Sequence, residues 1–292
     1  MSLRLIETAD SSMTPSATCL SSEKLKATCK GNVDAAVAAG RVIAHPDGTW
    51  EQRIAPAKTP GPWLMNKQPW NVSCPVQFLF LFKIAYDGKQ VPWGCRNCYK
   101  VKAQVSTLRQ LLALRTIIEQ APYPGKCGVD VGQRLSSRFF YSAFFYLDGL
   151  EAARDAFHAL RRQINDTPHL GPDVVMTIKR GCTEYEIACG PSDQYVFPPE
   201  LEQIEQYLTS QLRPMQSTPG FPPPMVIMSW AQTAFQIGDE TYLDVTGGRQ
   251  MNSKAITVDE NRLNQTGEQR MPSKIVTYDP GQPHGPTPPS IP

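Results

Sequence analysis

The cysteines are the residues of this chain whose type and spacing best fit a chemical role. The chain has 292 residues and eight cysteines, and Cys95 and Cys98 form a Cys-x-x-Cys pair. Cys182 and Cys189 follow much later in the chain. Thiolates so spaced are typical ligands of structural zinc. We therefore predict a metal site of Cys95, Cys98, Cys182 and Cys189, with Zn²⁺ favoured over an iron–sulfur cluster because no compact ferredoxin-type spacing is present.

The elements that must position these thiols follow from the periodicity of the apolar residues. Alternating segments predict strands at 99–105, 127–131, 138–147 and 174–179, and helical spacing predicts helices at 108–120 and 148–164. The order β-α-β-β-α-β is that of a split β-α-β unit. The fold class predicted is therefore α+β, with a ferredoxin-like core, a cysteine-rich metal end, and extended N- and C-terminal arms.

This topology is what brings the distant cysteines together. In a split β-α-β unit the first and last strands are antiparallel neighbours, so the start of one lies beside the end of the other. Cys95 and Cys98 precede the first strand, and Cys182 follows the last. A turn at Gly190-Pro191 would then bring Cys189 to the fourth position. Cys127, which begins a strand at the same end, is the reserve ligand if Cys189 is not used.

Four zones are expected along the chain. Residues 1–72 form a small, turn-rich N-terminal region with a helix at 22–30 and a hairpin that turns at Pro46-Asp47-Gly48. Residues 73–192 form the ferredoxin-like core with the four-cysteine site, beginning with an apolar strand at 74–86. Residues 193–245 add a helix at 199–212 and a hairpin at 225–245. The proline-rich residues 246–292 are expected to be an extended or disordered arm.

A nucleic-acid-binding function is the alternative. Ten Lys or Arg residues and only three acidic residues lie between Lys83 and Arg138, and a strongly aromatic strand follows. Helices cover one face of a split β-α-β sheet, so one set of aromatic residues faces away from them, where bases can stack. The residues predicted for this role are Lys100, Lys102, Arg138, Phe139, Tyr141 and Phe145. The competing interpretation is that another segment or a second subunit covers this face.

The sequence favours a non-enzymatic role without deciding the question. None of the four histidines lies in a metalloprotease, nuclease or triad pattern, and no phosphate-binding glycine loop is present. A metal- or thiol-dependent enzyme with a site near Cys182 is the second alternative, and Glu184, Glu186 and Asp193 are the nearby acids. A redox role for Cys95 and Cys98 is disfavoured because no helix directly follows the pair.

Location and partners follow from what the chain lacks. The N-terminus has no apolar run typical of a signal peptide, and the most apolar stretch, 76–85, is too short to span a bilayer. We therefore expect a cytoplasmic protein that does not associate with a membrane. Its predicted function is that of a metal-stabilised binding or accessory protein, which assembles with a protein partner or with itself as a homo-oligomer.

Overall fold

A computed structural model of the protein describes residues 22–53, 58–67, 73–130, 140–215 and 220–251. These residues form a mixed α+β structure with antiparallel sheets, so the predicted fold class is confirmed at that level. Several predictions fall outside the described residues. They are the arm at 252–292, the first part of the N-terminal region, and Arg138 and Phe139 at the start of the aromatic strand.

The helices and strands of the described residues are as follows. The α-helices are α1 (Ser22–Ala38), α2 (Leu108–Gln120), α3 (Leu150–Asp166), α4 (Thr183–Cys189), α5 (Glu200–Ser210), α6 (Pro223–Gln236) and α7 (Leu243–Thr246). The strands are β1 (Val42–Ala44), β2 (Trp50–Gln52), β3 (Trp63–Met65), β4 (Cys98–Val105), β5 (Gly125–Val129), β6 (Tyr141–Asp148) and β7 (Val175–Arg180). A π-helix spans Val76–Ala85, and short 3₁₀ turns lie at Trp93–Cys95, Ser192–Gln194 and Glu240–Tyr242.

The main sheet has five strands in the order β3-β5-β6-β4-β7, and every neighbouring pair is antiparallel. The predicted β-α-β-β-α-β run supplies β4, α2, β5, β6, α3 and β7 in that order. Its first and last strands, β4 and β7, are neighbours, as expected. The edge strand β3 was not predicted. The predicted hairpin is present as β1 and β2, and its turn is stabilised by the Asp47 carboxylate, which accepts from the Thr49 N–H at 3.0 Å.

The two faces of the sheet differ because β4 and β6 alternate in character. Val101 and Ala103 of β4 are fully buried against α2 and α3, together with Tyr141 and Phe145 of β6. Tyr141 and Phe145 therefore cannot stack on bases, and that part of the nucleic-acid prediction is wrong. Cys127 lies in the same core, opposite Ala143, so it faces the helices and not the other thiols. Its prediction as reserve metal ligand is also wrong.

The segment predicted as a strand at 74–86 is helical. Its residues form the π-helix, and the Tyr86 N–H donates to the Leu81 carbonyl at 2.8 Å. A continuous apolar run has no period of two, and it fits a helix buried on several sides as well as a buried strand. The helix packs with α1 and α5 around Phe80 and Leu81. The apolar run thus joins the N-terminal helix to the rest of the structure.

The hairpin predicted at 225–245 is also wrong, because α6 occupies most of this segment. Pro222 and Pro223 begin α6, where proline's missing N–H costs nothing. The fully buried Trp230 of α6 packs against the sheet core, and its indole N–H donates to the Pro62 carbonyl at 2.8 Å. Of the helices in residues 193–245, α6 packs on the sheet core, whereas α5 packs with α1 and the π-helix.

Across the described ranges, none of the helices has both the length and the apolar character that crossing a membrane requires.

Candidate metal centre

The ladder between β4 and β7 places Cys98 beside Cys182. Tyr99 is opposite Arg180, and the Gly181 N–H donates to the Cys98 carbonyl at 2.8 Å. Gly181 has a φ of +65°, a conformation that favours glycine, and it turns the chain from β7 into α4. Cys182 is the residue immediately before α4. Two cysteines separated by most of the core sequence are thus held together by strand pairing.

Cys95 reaches the same end through the 3₁₀ turn that precedes β4. Its thiol is buried, and its Sγ lies 3.6 Å from the Tyr185 hydroxyl. Tyr185 is on α4, three residues beyond Cys182. Burial raises the pKa of the Cys95 thiol well above its ordinary value, and the nearby charges of Cys98 and Cys182 raise it further. Cys95, Cys98 and Cys182 therefore share one electrostatic environment.

A fourth cysteine, Cys74, joins this group although its spacing gave no signal. Cys74 lies two residues before the π-helix, whose Phe82 packs edge-on against Tyr185 at 4.7 Å between ring centroids. Burial raises the pKa of Cys98 to about 11, Lys100 opposes this, and the charges of Cys182 and Cys74 add to the rise. Burial likewise raises the pKa of Cys74, with a further contribution from Cys182. We call Cys74, Cys95, Cys98 and Cys182 the thiol cluster.

Cys189 packs against the same small apolar cluster as Cys98 and Cys182, but no other thiol contributes to its pKa. It is the last residue of α4, and its thiol contacts the Gly88 carbonyl at 3.6 Å. Burial alone raises its pKa, whereas the pKa of each of Cys74, Cys95 and Cys98 is raised by other thiols as well. The short helix α4 carries Cys189 away from Cys182. The four predicted cysteines therefore all pack on one cluster, and Cys189 is set apart by its contact with the Gly88 carbonyl.

Lys100 is the cation of the thiol cluster. Its side chain lies on the sheet face away from α2 and α3, is only 6% exposed, and donates to the Cys182 sulfur at 2.9 Å. Burial by itself would lower the pKa of Lys100, but the charges of Cys182 and Cys98 raise it above its ordinary value. In the described part of the chain, no carboxylate pairs with this ammonium. A buried ammonium requires a hydrogen-bond acceptor nearby, and the Cys182 sulfur supplies one.

The thiols are close, but they do not converge on one point. Within the described ranges, no group of three or more His, Cys, Asp or Glu side chains is placed so as to hold a metal ion. Cys29, Cys74, Cys95, Cys98, Cys127, Cys182 and Cys189 are all free thiols. The hydrogen bonds of Cys95 to Tyr185 and of Cys182 to Lys100 point these sulfurs towards protein partners. Metal coordination would therefore require side-chain rotations within the thiol cluster.

A buried carboxylate, Glu205 of α5, holds the turn that carries Cys95. Glu205 is only 6% exposed and accepts from the backbone N–H of Trp93 at 2.6 Å and of Gly94 at 3.2 Å. It also accepts from the Tyr86 hydroxyl at 2.9 Å. These bonds join α5, the end of the π-helix and the cysteine turn. Sequence reasoning missed Glu205, because nothing in its local pattern marks it as buried except the apolar neighbours Leu201, Ile204 and Leu208 at helical spacing.

The titration of Glu205 predicts a pH effect on stability. Burial raises the pKa of Glu205 above its ordinary value, although its hydrogen bonds oppose this. The folded protein therefore holds this proton more tightly than the unfolded chain does. The free energy of unfolding should then fall as the pH rises from the unfolded pKa of about 4.3 through the higher folded pKa. Urea unfolding at a series of pH values should show this fall, and Glu205→Gln should flatten it; an equal slope in both proteins would contradict the assignment.

The acidic residues near Cys182 do not form an acid–base site. The Glu186 carboxylate pairs with the Lys179 ammonium, which also donates to the Thr183 hydroxyl at 3.0 Å. Asp193 lies in the 3₁₀ turn that follows α4. Glu184 is exposed. A role for these carboxylates in catalysis gains no geometric support from this arrangement.

The residues predicted for nucleic acid binding are divided between the two faces. Lys100 and Lys102 lie on the outer face, which we define as the sheet face away from α2 and α3. Tyr141 and Phe145 lie on the inner face. The aromatic residues of β6 that share the outer face are Phe144, opposite Lys102, and Tyr146, opposite Lys100. Lys126 of β5, opposite Phe144, is an outer-face lysine that the prediction did not include.

Comparisons with protein-family models, with curated proteins and with solved structures gave no significant match. Functional inference for this chain therefore rests on its own residues and their arrangement.

Proposed function

We propose that this protein is a metal-stabilised binding or accessory protein, with Zn²⁺ held by the thiol cluster. The observation that carries the proposal is that Cys95, Cys98 and Cys182 pack on one apolar cluster at one end of the sheet, where the charge of Cys74 also acts on Cys95 and Cys98. Four thiolates are the ligand set of a closed structural zinc site. An iron–sulfur cluster would use the same ligands and is the less favoured occupant.

The proposed ligand set differs from the sequence prediction at one position, where Cys74 replaces Cys189. Charge interactions connect Cys74 to Cys95, Cys98 and Cys182, whereas Cys189 is engaged with the Gly88 carbonyl. A tetrathiolate zinc centre carries a net charge of about −2. The buried ammonium of Lys100, at 2.9 Å from the Cys182 sulfur, fits such a centre because N–H groups that donate to ligand sulfurs stabilise their charge.

A ferredoxin-like core is part of this proposal. The order of β5, β6, β4 and β7, with antiparallel neighbours and with α2 and α3 on one face, supports it. In that core the metal would join the first strand, the last strand and the π-helix at one end. Because these segments are distant in sequence, a metal that binds only the folded chain would contribute its binding free energy to folding.

The binding role rests on the surface near the same end. Ile187 of α4 and Val196, which follows the next 3₁₀ turn, are 77% and 71% exposed, which is unusual for large apolar side chains. A contiguous apolar patch favours contact with a protein partner, and these are the two most exposed large apolar residues in the described part of the chain. We propose a second copy of this chain as that partner, which retains the homo-oligomer predicted from the sequence.

The metal content of purified variants tests the proposed site. The protein is expected to carry about one zinc ion per chain, and Cys74→Ser, Cys95→Ser, Cys98→Ser and Cys182→Ser should each lose it, because a closed site needs all four thiolates. Cys189→Ser and Cys127→Ser are the matched controls and should retain the metal. The measurement is elemental mass spectrometry of protein purified without chelator.

The two ligand sets give opposite results for one pair of variants. If Cys74→Ser retains zinc and Cys189→Ser loses it, then Cys189, and not Cys74, is the fourth ligand of the site. Absence of metal from the unmodified protein, including after refolding with zinc, would remove the proposal. Iron and sulfide in equal amounts would change the occupant to a cluster while keeping the same thiols.

A further inference from the structure

The outer face of the sheet combines aromatic rings with cations in a regular arrangement. Cross-strand pairing places Lys102, Phe144 and Lys126 in one row across β4, β6 and β5. Residues directly opposite each other in a sheet point to the same side. Since α2 and α3 cover the inner face, this row lies on the outer face, where Lys100, Ser142 and Tyr146 are buried and Phe140 is exposed.

Trp63 of β3 lies beside this row at the sheet edge, where Met65 is the residue opposite Lys126. Trp63 is opposite Gly128, where a side chain would collide with the Pro62 carbonyl and the indole ring, so glycine allows β3 to approach closely. The Trp63 and Phe144 rings meet edge to face at 5.5 Å between centroids. Phe140, just before β6, is 37% exposed, and its carbonyl accepts from the Asp130 N–H at 2.7 Å, which continues the pairing of β5 and β6. The aromatic row is therefore partly open to solvent.

The cations of this row are only partly neutralised. The Lys102 ammonium pairs with the Asp130 carboxylate at 3.1 Å. Lys126 forms no ion pair within the described residues; its ammonium lies 4.4 Å from the Trp63 ring centroid and 5.3 Å from that of Phe144. Lys126 is therefore held half-buried against two rings, and burial lowers its pKa. This contrasts with Lys100, whose charge is engaged by Cys182.

We propose that the outer face, at Trp63, Phe140, Phe144, Lys102 and Lys126, binds single-stranded nucleic acid. Unpaired bases stack on exposed aromatic rings, and the ammonium groups between the rings contact the phosphates. A duplex offers no free base faces, so it binds this surface more weakly. A phosphate near Lys102 would compete with Asp130, which makes Lys126 the stronger of the two contacts. The surface adjoins the metal site, since the charges of Cys182 and Cys74 act on Lys126.

Fluorescence anisotropy with a labelled oligothymidylate of about 20 nucleotides tests this surface. Phe140→Ala should weaken binding about fivefold to a hundredfold, the range expected for loss of one stacked base. Lys126→Met keeps the aliphatic stem but removes the charge, so it should weaken binding and reduce the salt slope by about 0.7. Met228→Ala and Lys89→Met change exposed residues elsewhere and are the matched controls, which should bind as the unmodified protein does.

Two results would overturn the proposal. One is absence of binding at about 50 mM salt, where phosphate contacts are strong. The other is binding that Phe140→Ala and Lys126→Met leave unchanged, or that a duplex of the same length matches. The zinc content of these variants should equal that of the unmodified protein. A loss of nucleic-acid binding can therefore be distinguished from a loss of the metal. Thermal unfolding of each variant verifies that it is folded.

Discussion

Phe145→Ala is expected to lower the free energy of unfolding by about 3–5 kcal/mol, the range for removal of a fully buried aromatic ring. Phe145 is fully buried on the inner face, between β4 and the helices α2 and α3. Its removal leaves a cavity that the surrounding strands and helices cannot close. Urea unfolding, followed by circular dichroism, measures the difference.

The neighbouring residue provides the control for this substitution. Phe144 lies on the outer face and is half-buried, so folding removes less of its apolar area from water than of that of Phe145. Phe144→Ala should therefore lower the free energy of unfolding by about 1.5 kcal/mol or less. Both substitutions replace a phenylalanine of β6 with alanine, so the change in β-strand propensity is the same in the two variants. A larger loss of stability from Phe144→Ala than from Phe145→Ala would mean that the two faces of the sheet are assigned the wrong way round.

Glu205→Ala is the second substitution expected to have a large effect. It removes the acceptor of the Trp93 and Gly94 N–H groups and of the Tyr86 hydroxyl, all in a buried setting. Buried donors without partners cost about 1–3 kcal/mol each, and water that enters the space offsets part of this. We expect a net loss of about 2–4 kcal/mol in unfolding free energy. Differential scanning calorimetry measures it together with the enthalpy.

A second glutamate on the same helix makes a matched control. Glu202 is exposed on α5, and Glu202→Ala should change the unfolding free energy by about 0.5 kcal/mol or less. Equal effects of the two substitutions would show that the hydrogen bonds of Glu205 do not hold the cysteine turn. A loss of zinc in Glu205→Ala without a loss of stability would instead place Glu205 in control of the metal site alone.

The sheet and its covering helices were predictable because their signals are local. The alternation of Val101 and Ala103 with Lys100 and Lys102 identifies β4 as half-buried. Helical spacing of Leu108, Leu111 and Leu114 identifies α2, which the Thr107 side chain caps. The adjacency of Cys98 and Cys182 followed from strand order. These features depend on short-range periodicity and on a topology with few alternatives.

The orientation of the aromatic strand was predictable but was assigned incorrectly. The alternation of β6 defines two sets of aromatic residues without saying which set is buried. Pairing with β4 decides this, because the residues opposite Lys100 and Lys102 must share their face. Lysine is rarely buried against helices, so the lysines mark the outer face. Tyr146 and Phe144 therefore lie on the outer face, and Phe145 lies in the core.

Cys74 and Glu205 were not predictable, because their positions depend on long-range packing. Cys74 reaches the thiol cluster only because the π-helix packs its Phe82 against Tyr185 of α4. The continuous apolar run of that segment carries no period that distinguishes helix from strand. Glu205 is polar on an amphipathic helix, and only its distant partners in the cysteine turn explain its burial. Contacts between segments remote in sequence leave no local pattern.

X-ray absorption at the zinc edge of the purified protein tests the central claim most directly. Coordination by the thiol cluster predicts about four sulfur scatterers at about 2.3 Å, with no nitrogen or oxygen ligand. Three sulfurs and one oxygen would indicate an open site with a bound water, which is the arrangement of a catalytic metal and not of a structural one. A spectrum dominated by nitrogen or oxygen, or a protein that takes up no metal, would contradict the account.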